Sequence, residues 1–182
     1  DRIYGGDGND VLVDGYRETV ASQNLLEGEA GDDSYYISYA QIDSNSDVES
    51  VYIIDSSGSD SIRFRNGNSD DLGDDQKYLL SNLSFKRLID HDLIITALNG
   101  NNATTITIAD QLSDLNNSTG LGIEIIRLWN GSSYYSLDLK DYLLNYSGAM
   151  VTWGTNAADV INGITIGSLN DDIRGFDGDD VI

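Results

Sequence analysis

The sequence predicts an all-β fold in which short strands stack as a solenoid near both ends of the chain, around a mainly β middle region with antiparallel hairpins and a short helix. Three observations predict it. A nine-residue Gly/Asp unit recurs near both ends, β-branched and aromatic runs separated by turn signals fill the middle, and no proline interrupts any of them.

The first repeat is complete: Gly5-Gly6-Asp7-Gly8-Asn9-Asp10-Val11-Leu12-Val13. It returns as Gly175-Phe176-Asp177-Gly178-Asp179-Asp180-Val181-Ile182, and in degenerate form from Gly28 to Tyr36, with Glu29 at the second glycine. Weaker copies keep the back half, at Gly58 to Ile62, Ala158 to Ile161 and Asn170 to Ile173, and Asp1 to Tyr4 reads as the tail of a further unit. In all seven copies a large apolar or aromatic residue stands two places after the key aspartate: Ile3, Leu12, Tyr35, Ile62, Ile161, Ile173 and Ile182. Asp1 and Asp10 are nine apart, as are Asp171 and Asp180, and Asp33 to Asp60 is 27, three nines. Asp10 to Asp33 is 23, which reads as nine plus fourteen inserted residues, Asp14 to Glu27, expected to hang off the stack as a loop. Asp159 to Asp171 is nine plus three. These spacings divide the chain into a first array at 1–36, a middle region at 37–147 and the start of a second array at 148–182.

The spacing has a chemical consequence. Glycine-rich turns admit positive φ and bring carbonyls close together. Each Asp-x-apolar segment is a short strand with its aspartate at the turn edge and its apolar residue pointing inward. If two units complete one turn of a solenoid, alternate aspartates stack at roughly 4.8 Å. Two charges at that distance repel by on the order of 3 kcal/mol at an effective dielectric of about 20. A calcium ion relieves this, because two Ca–O bonds of about 2.4 Å span the same gap.

The unit from Gly5 to Val13 matches the Gly-Gly-x-Gly-x-Asp-x-apolar-x motif in full, and that from Gly175 matches except at Phe176. In this the sequence resembles the RTX (repeats-in-toxin) family of haemolysin-type calcium-binding repeats. The resemblance implies a parallel β-roll with calcium ions between successive turns, held by aspartate carboxylates and glycine-loop carbonyls. Carried onto this sequence, the metal-site candidates are Asp1, Gly5, Gly6, Gly8, Asp10, Gly28, Gly31, Asp33, Asp60, Asp159, Asp171, Gly175, Asp177, Gly178 and Asp180. The resemblance further implies export by type I secretion machinery as part of a larger protein, with folding on calcium outside the cell. The lack of proline and cysteine suits that route, since neither slow prolyl isomerisation nor disulfides would obstruct threading.

In the middle region Tyr35 to Ala40, Ser50 to Asp55 and Ser61 to Arg65 read as strands. Leu83 to Ile89 and Leu93 to Leu98 flank Asp90-His91-Asp92 as a hairpin, and Asn99 to Asn102 is a turn before the alternating strand Thr104 to Ile108. Gly122 to Trp129 and Ser133 to Leu137 flank Asn130-Gly131, the strongest hairpin signal in the chain. Leu139 to Tyr146, ahead of Gly148, reads as a two-turn helix. The runs Gly31 to Ile37, Gly58 to Ile62, Asp92 to Ile95 and Ile123 to Ile126 resemble the non-repeat region that caps RTX arrays in secreted toxins and proteases. A cap closes the open strand edges of a solenoid.

Composition excludes other functions. A net charge of −21 repels nucleic acid and anionic membrane surfaces. No apolar run approaches the length of a membrane-spanning helix, and the absence of cysteine removes thiolate catalysis and zinc–thiolate centres. His91, the sole histidine, reads as a solvated turn residue, and no catalytic residues are expected. Trp129, Tyr134, Tyr135 and Trp153 read as packing residues rather than a sugar platform. The expectation is therefore a non-enzymatic, extracellular calcium-binding segment, with calcium ions as cofactor. The alternative is a recognition module that presents a surface to a polysaccharide or host receptor.

Overall fold

The computed structural model describes residues 1–14, 23–38, 48–65, 76–88, 91–99, 102–113, 122–145, 149–153 and 170–174. The fold is all-β, with one short α-helix among these residues. The first six strands are β1 (Arg2–Tyr4), β2 (Val11–Val13), β3 (Gln23–Ala30), β4 (Ser34–Ser38), β5 (Val48–Ser57) and β6 (Ser61–Arg65). They alternate between two sheets: β1, β3 and β5 lie side by side in one, β2, β4 and β6 in the other, and every pairing among them is parallel.

The alternation follows from where the apolar residues fall. Leu12, Tyr35 and Ile62, each two places after a repeat aspartate, stand opposite one another across β2, β4 and β6 and are buried. Ile3, Leu26 and Ile53 form the matching row across β1, β3 and β5. Both rows belong to one core, in which each fully buried aliphatic or aromatic side chain contributes about 1.5–3 kcal/mol.

The stretch from Asp14 to Glu27, expected as a loop, instead contains most of β3. Asn24 stands nine residues before Asp33, in the place of a repeat aspartate, and Leu26 takes the inward position two residues later. Val51 and Ile53 repeat the arrangement nine residues before Asp60. These hidden units keep the strand period but lack the aspartate and the glycine loop, so only the inward apolar residue marks them.

The middle region adds β7 (Leu83–Leu88), β8 (Leu93–Asn99) and β9 (Asn102–Ile108), an antiparallel meander whose last strand lies parallel to β5. To the other sheet it adds β10 (Ile125–Trp129), parallel to β6, and β11 (Tyr134–Asp138), antiparallel to β10. Asn130 and Gly131 make the turn between these two, the Asn130 side chain accepting from the Ser132 and Ser133 amides at 3.0 and 2.9 Å. Strand β10 starts later than expected, because Ile123 is held instead by the Gln111 side chain, which accepts from its amide at 2.7 Å. Helix α1 (Leu139–Leu144) is capped by Asp138, whose carboxylate accepts from the Asp141 amide at 2.7 Å, and buries Leu139 and Leu143 on one face.

Strands β12 (Ala149–Trp153) and β13 (Asn170–Arg174) continue the first sheet beyond β7 in parallel. Asp171 stands on β13 opposite Met150. The candidates Asp159, Gly175, Asp177, Gly178 and Asp180 lie outside the described residues.

Candidate metal centre

Three turns lead from the first sheet into the second: Gly5 to Asp10, Gly28 to Asp33 and Asp55 to Asp60. They stack on one another through backbone bonds, Gly8 N–H to the Ala30 carbonyl at 2.7 Å and Gly31 N–H to that of Ser57 at 2.9 Å. The approach is so close that a Cβ on Gly31, whose φ is +138°, would run into the Gly8 carbonyl. Glu29, at the motif's second glycine position, keeps the left-handed conformation with φ 71°.

The repeat aspartates are tied in a ladder. Asp33 Oδ1 accepts from the Asp10 amide at 2.8 Å, Asp60 Oδ1 from the Asp33 amide at 2.7 Å, and Glu124 Oε2 from the Asp60 amide at 2.7 Å. Each carboxylate thus spends one oxygen on the unit before it. A second ladder beside the first joins the Asp32 amide to Asn9 Oδ1 at 2.9 Å and the Ser59 amide to Asp32 Oδ1 at 3.0 Å.

The remaining oxygens converge. Asp33, Asp55 and Asp60 are only 1%, 5% and 0% exposed, and one carboxylate oxygen from each lies within 4.8 Å of the other two. Asp33 Oδ2, Asp55 Oδ1 and Asp60 Oδ2 are buried without a hydrogen-bond donor. The second Asp55 oxygen accepts from the Tyr35 hydroxyl at 2.5 Å. A Cβ on Gly28 would collide with Asp33 Oδ2, the Tyr35 hydroxyl and Asp55 Oδ2, so the glycine leaves room at the point where these groups meet.

Three buried carboxylates, each with one oxygen lacking a donor, are costly when ionised. Burial pushes the pKa values of Asp33, Asp55 and Asp60 above the usual carboxylate range, with repulsion from neighbouring carboxylates adding to the rise: Asp10 and Asp32 on Asp33, Asp60 and Asp33 on Asp55, and Asp33 and Asp32 on Asp60. Glu124 is pushed up to about 7 by burial, with the Asp60 charge adding to it and Lys140 opposing it. The Tyr35 hydroxyl is raised first by burial and then by its bond to Asp55, so it stays a neutral donor. A divalent cation would replace the missing donors. Ca–O distances of about 2.3–2.6 Å place opposed ligands up to about 5 Å apart, which accommodates the spacing here, and an all-oxygen set suits calcium rather than zinc or copper.

Of the sequence candidates, Asp33 and Asp60 meet in this centre, with Gly28 at its wall. Asp10 lies one level away: its Oδ2 is also buried without a donor, and a Cβ on Gly5 would sit 2.9 Å from it and 3.1 Å from the Gly28 carbonyl. Asp1 precedes β1, half a winding earlier, and its main-chain nitrogen donates to Asn24 Oδ1 at 2.6 Å. Gly6 and Gly8 take positive φ in the first turn. Asp55, Tyr35 and Glu124 were not singled out as site residues from the sequence. Asp55 carries a readable signal, standing five residues before Asp60 as Gly5 stands before Asp10 and Gly28 before Asp33. Outside the centre, His91 is exposed in its turn, and Trp129 packs edge-on against Tyr134 with ring centroids 4.9 Å apart.

No family model matches the sequence, and neither a curated protein nor a solved structure matches it.

Proposed function

We propose that this chain is a non-enzymatic calcium-binding segment of a larger secreted or surface bacterial protein, built as an RTX-type parallel β-roll and folding when calcium binds outside the cell. The observation that carries the reading is the Asp33, Asp55 and Asp60 cluster, buried, with one donorless oxygen from each carboxylate. The alternation of parallel strands between two sheets supports the β-roll, since it makes two repeats one winding. Calcium supplies folding free energy because the site does not exist in the unfolded chain. Type I secretion is inferred from the repeat motif and the lack of proline and cysteine.

Terbium, which takes the oxygen ligands of calcium, tests this directly. The Tyr35 hydroxyl is bonded to a ligand carboxylate, so excitation of tyrosine should sensitise terbium luminescence, and calcium should quench it by displacement. Asp60→Asn should weaken terbium and calcium together, whereas Tyr35→Phe should lower the luminescence much more than the affinity. Luminescence that calcium fails to displace, or that survives Asp60→Asn unchanged, would refute the assignment.

A further inference from the structure

Strand β10 extends the row of β2, β4 and β6 without belonging to any repeat. Ile126 stands opposite Ile62 and is buried like it, and Glu124, two places earlier, stands where the repeats carry Asp10, Asp33 and Asp60. Glu124 also bonds as a repeat aspartate does. Its Oε2 accepts from the Asp60 amide at 2.7 Å, as Asp60 Oδ1 accepts from the Asp33 amide, and the Glu124 and Ile125 amides donate to the Asp60 carbonyl at 3.2 and 2.9 Å. Asp60 is thus fixed by Glu124 on one side as it is by Asp33 on the other.

What fixes Glu124 differs from the repeats. There the turns stack through glycine amides, Gly8 onto the Ala30 carbonyl and Gly31 onto that of Ser57. Ahead of Glu124 a side chain takes over: Gln111 Oε1 accepts from the Ile123 amide at 2.7 Å, and Gln111 Nε2 donates to the Ile123 carbonyl at 3.1 Å. One carboxamide therefore matches both backbone groups of one residue. Gln111 is 3% exposed and Ile123 0%, so solvent does not stand ready to replace either bond. Gly122, with φ +81°, leaves the space, since a Cβ there would lie 2.6 Å from Gln111 Oε1.

The backbone around Gln111 is anchored in turn. The Ala109 amide donates to the Ile53 carbonyl at 2.9 Å, two residues before Asp55, the Asp110 amide to Asp92 Oδ1 at 2.8 Å, and the Leu112 amide to the His91 carbonyl at 2.9 Å. The Gln111 side chain therefore joins the antiparallel meander, and the strand that leads to Asp55, to the backbone that holds Asp60. We propose, resting on the metal reading above, that Gln111 is a positioning residue for the calcium centre and couples docking of the middle region to calcium binding. While Gln111 grips Ile123, Glu124 holds the Asp60 amide and the donorless Asp60 Oδ2 stays beside Asp33 and Asp55. When the grip opens, Asp60 loses its partner and the ion loses a ligand. The coupling is reciprocal, so bound calcium keeps the Gln111 grip closed.

Terbium luminescence lifetimes in H2O and D2O test this, because together they count the water molecules on the ion. Gln111→Met keeps the length of the side chain and removes its carboxamide. In that variant the lifetime in H2O should shorten, as water replaces an Asp60 oxygen, and a chelator should strip calcium about tenfold faster or more. The Asp60 amide of the calcium-loaded chain should exchange with solvent faster as well. Leu83→Ala is the control, a truncation in the core at the end of β7 remote from the Leu88–Asp92 turn. Its urea midpoint with calcium should fall, while its lifetimes and Asp60 exchange stay as in the unaltered chain. If Gln111→Met does not fold with calcium, Gln111→Asn takes its place: it keeps the carboxamide one methylene short of Ile123 and should move the same readouts in the same direction. Terbium that fails to bind the unaltered chain would overturn the metal reading and the coupling together. Terbium that binds the unaltered chain, yet keeps its lifetimes and calcium release in the Gln111 variant or changes them as much in Leu83→Ala, would overturn the coupling alone.

Discussion

A methyl group on Gly28 would stand where the Asp33 and Asp55 carboxylates meet the Tyr35 hydroxyl. Gly28→Ala should therefore destabilise the calcium-loaded chain by about 1–3 kcal/mol, the usual cost of overpacking, and weaken calcium by displacing its ligands; chemical denaturation and calorimetry measure the two effects. Asp55→Asn should act in opposite directions on the two states. Without calcium it removes a buried charge from a repelling cluster and stabilises the fold, while with calcium it lowers affinity by about tenfold or more, about 1.4 kcal/mol. The same carboxylates set the pH dependence. Burial raises Asp33, Asp55, Asp60 and Glu124, the last to about 7, above unfolded values of about 4. The folded apo chain thus holds protons more tightly than the unfolded chain, so the stability linked to these groups is fully present below about pH 4 and is lost as the pH rises through the raised values. Without calcium the folded fraction, read by circular dichroism, should fall between about pH 5 and about pH 8, and the fall should shrink or reverse with calcium, because the ion favours the ionised forms.

Among the elements, the strands that carry a repeat aspartate were legible, and β3 was not. Leu12, Tyr35 and Ile62 announce themselves by their distance from Asp10, Asp33 and Asp60. Leu26 and Ile53 occupy the matching inward row of the other sheet, but Asn24 and Val51 stand where the aspartates would be. The reason is physical: the sheet requires only the inward apolar residue, and the aspartate is required only at the turn where carboxylates stack. The candidate metal centre was legible in Asp33 and Asp60. Asp55 escaped because it occupies the motif's first glycine position, where the family pattern asks for no side chain. Glu124 escaped because it serves the ladder from outside any repeat, where β10 succeeds β6. Its carboxylate ends the ladder at the Asp60 amide, so Glu124→Ala should leave that donor without its partner and cost about 1–3 kcal/mol. Glu124→Gln, which keeps an acceptor oxygen, should recover most of that loss in the same denaturation series.

For the whole molecule, the net charge of −21 and the buried carboxylates describe one balance. On the proposed reading each calcium ion would cancel two charges, and ions would enter where the acids are most crowded and least solvated. The core formed by the inward rows gives the chain a reason to collapse, while the stacked turns oppose collapse until a cation arrives. The most direct measurement of that claim is the radius of gyration by small-angle scattering, recorded with calcium and after chelation. A compact chain of this length has a radius of roughly 16 Å and an unfolded one roughly 45 Å. The account predicts a value near the first with calcium and a clear expansion toward the second with excess chelator, reversed when calcium is restored. A radius that stays compact and unchanged in chelator would contradict it.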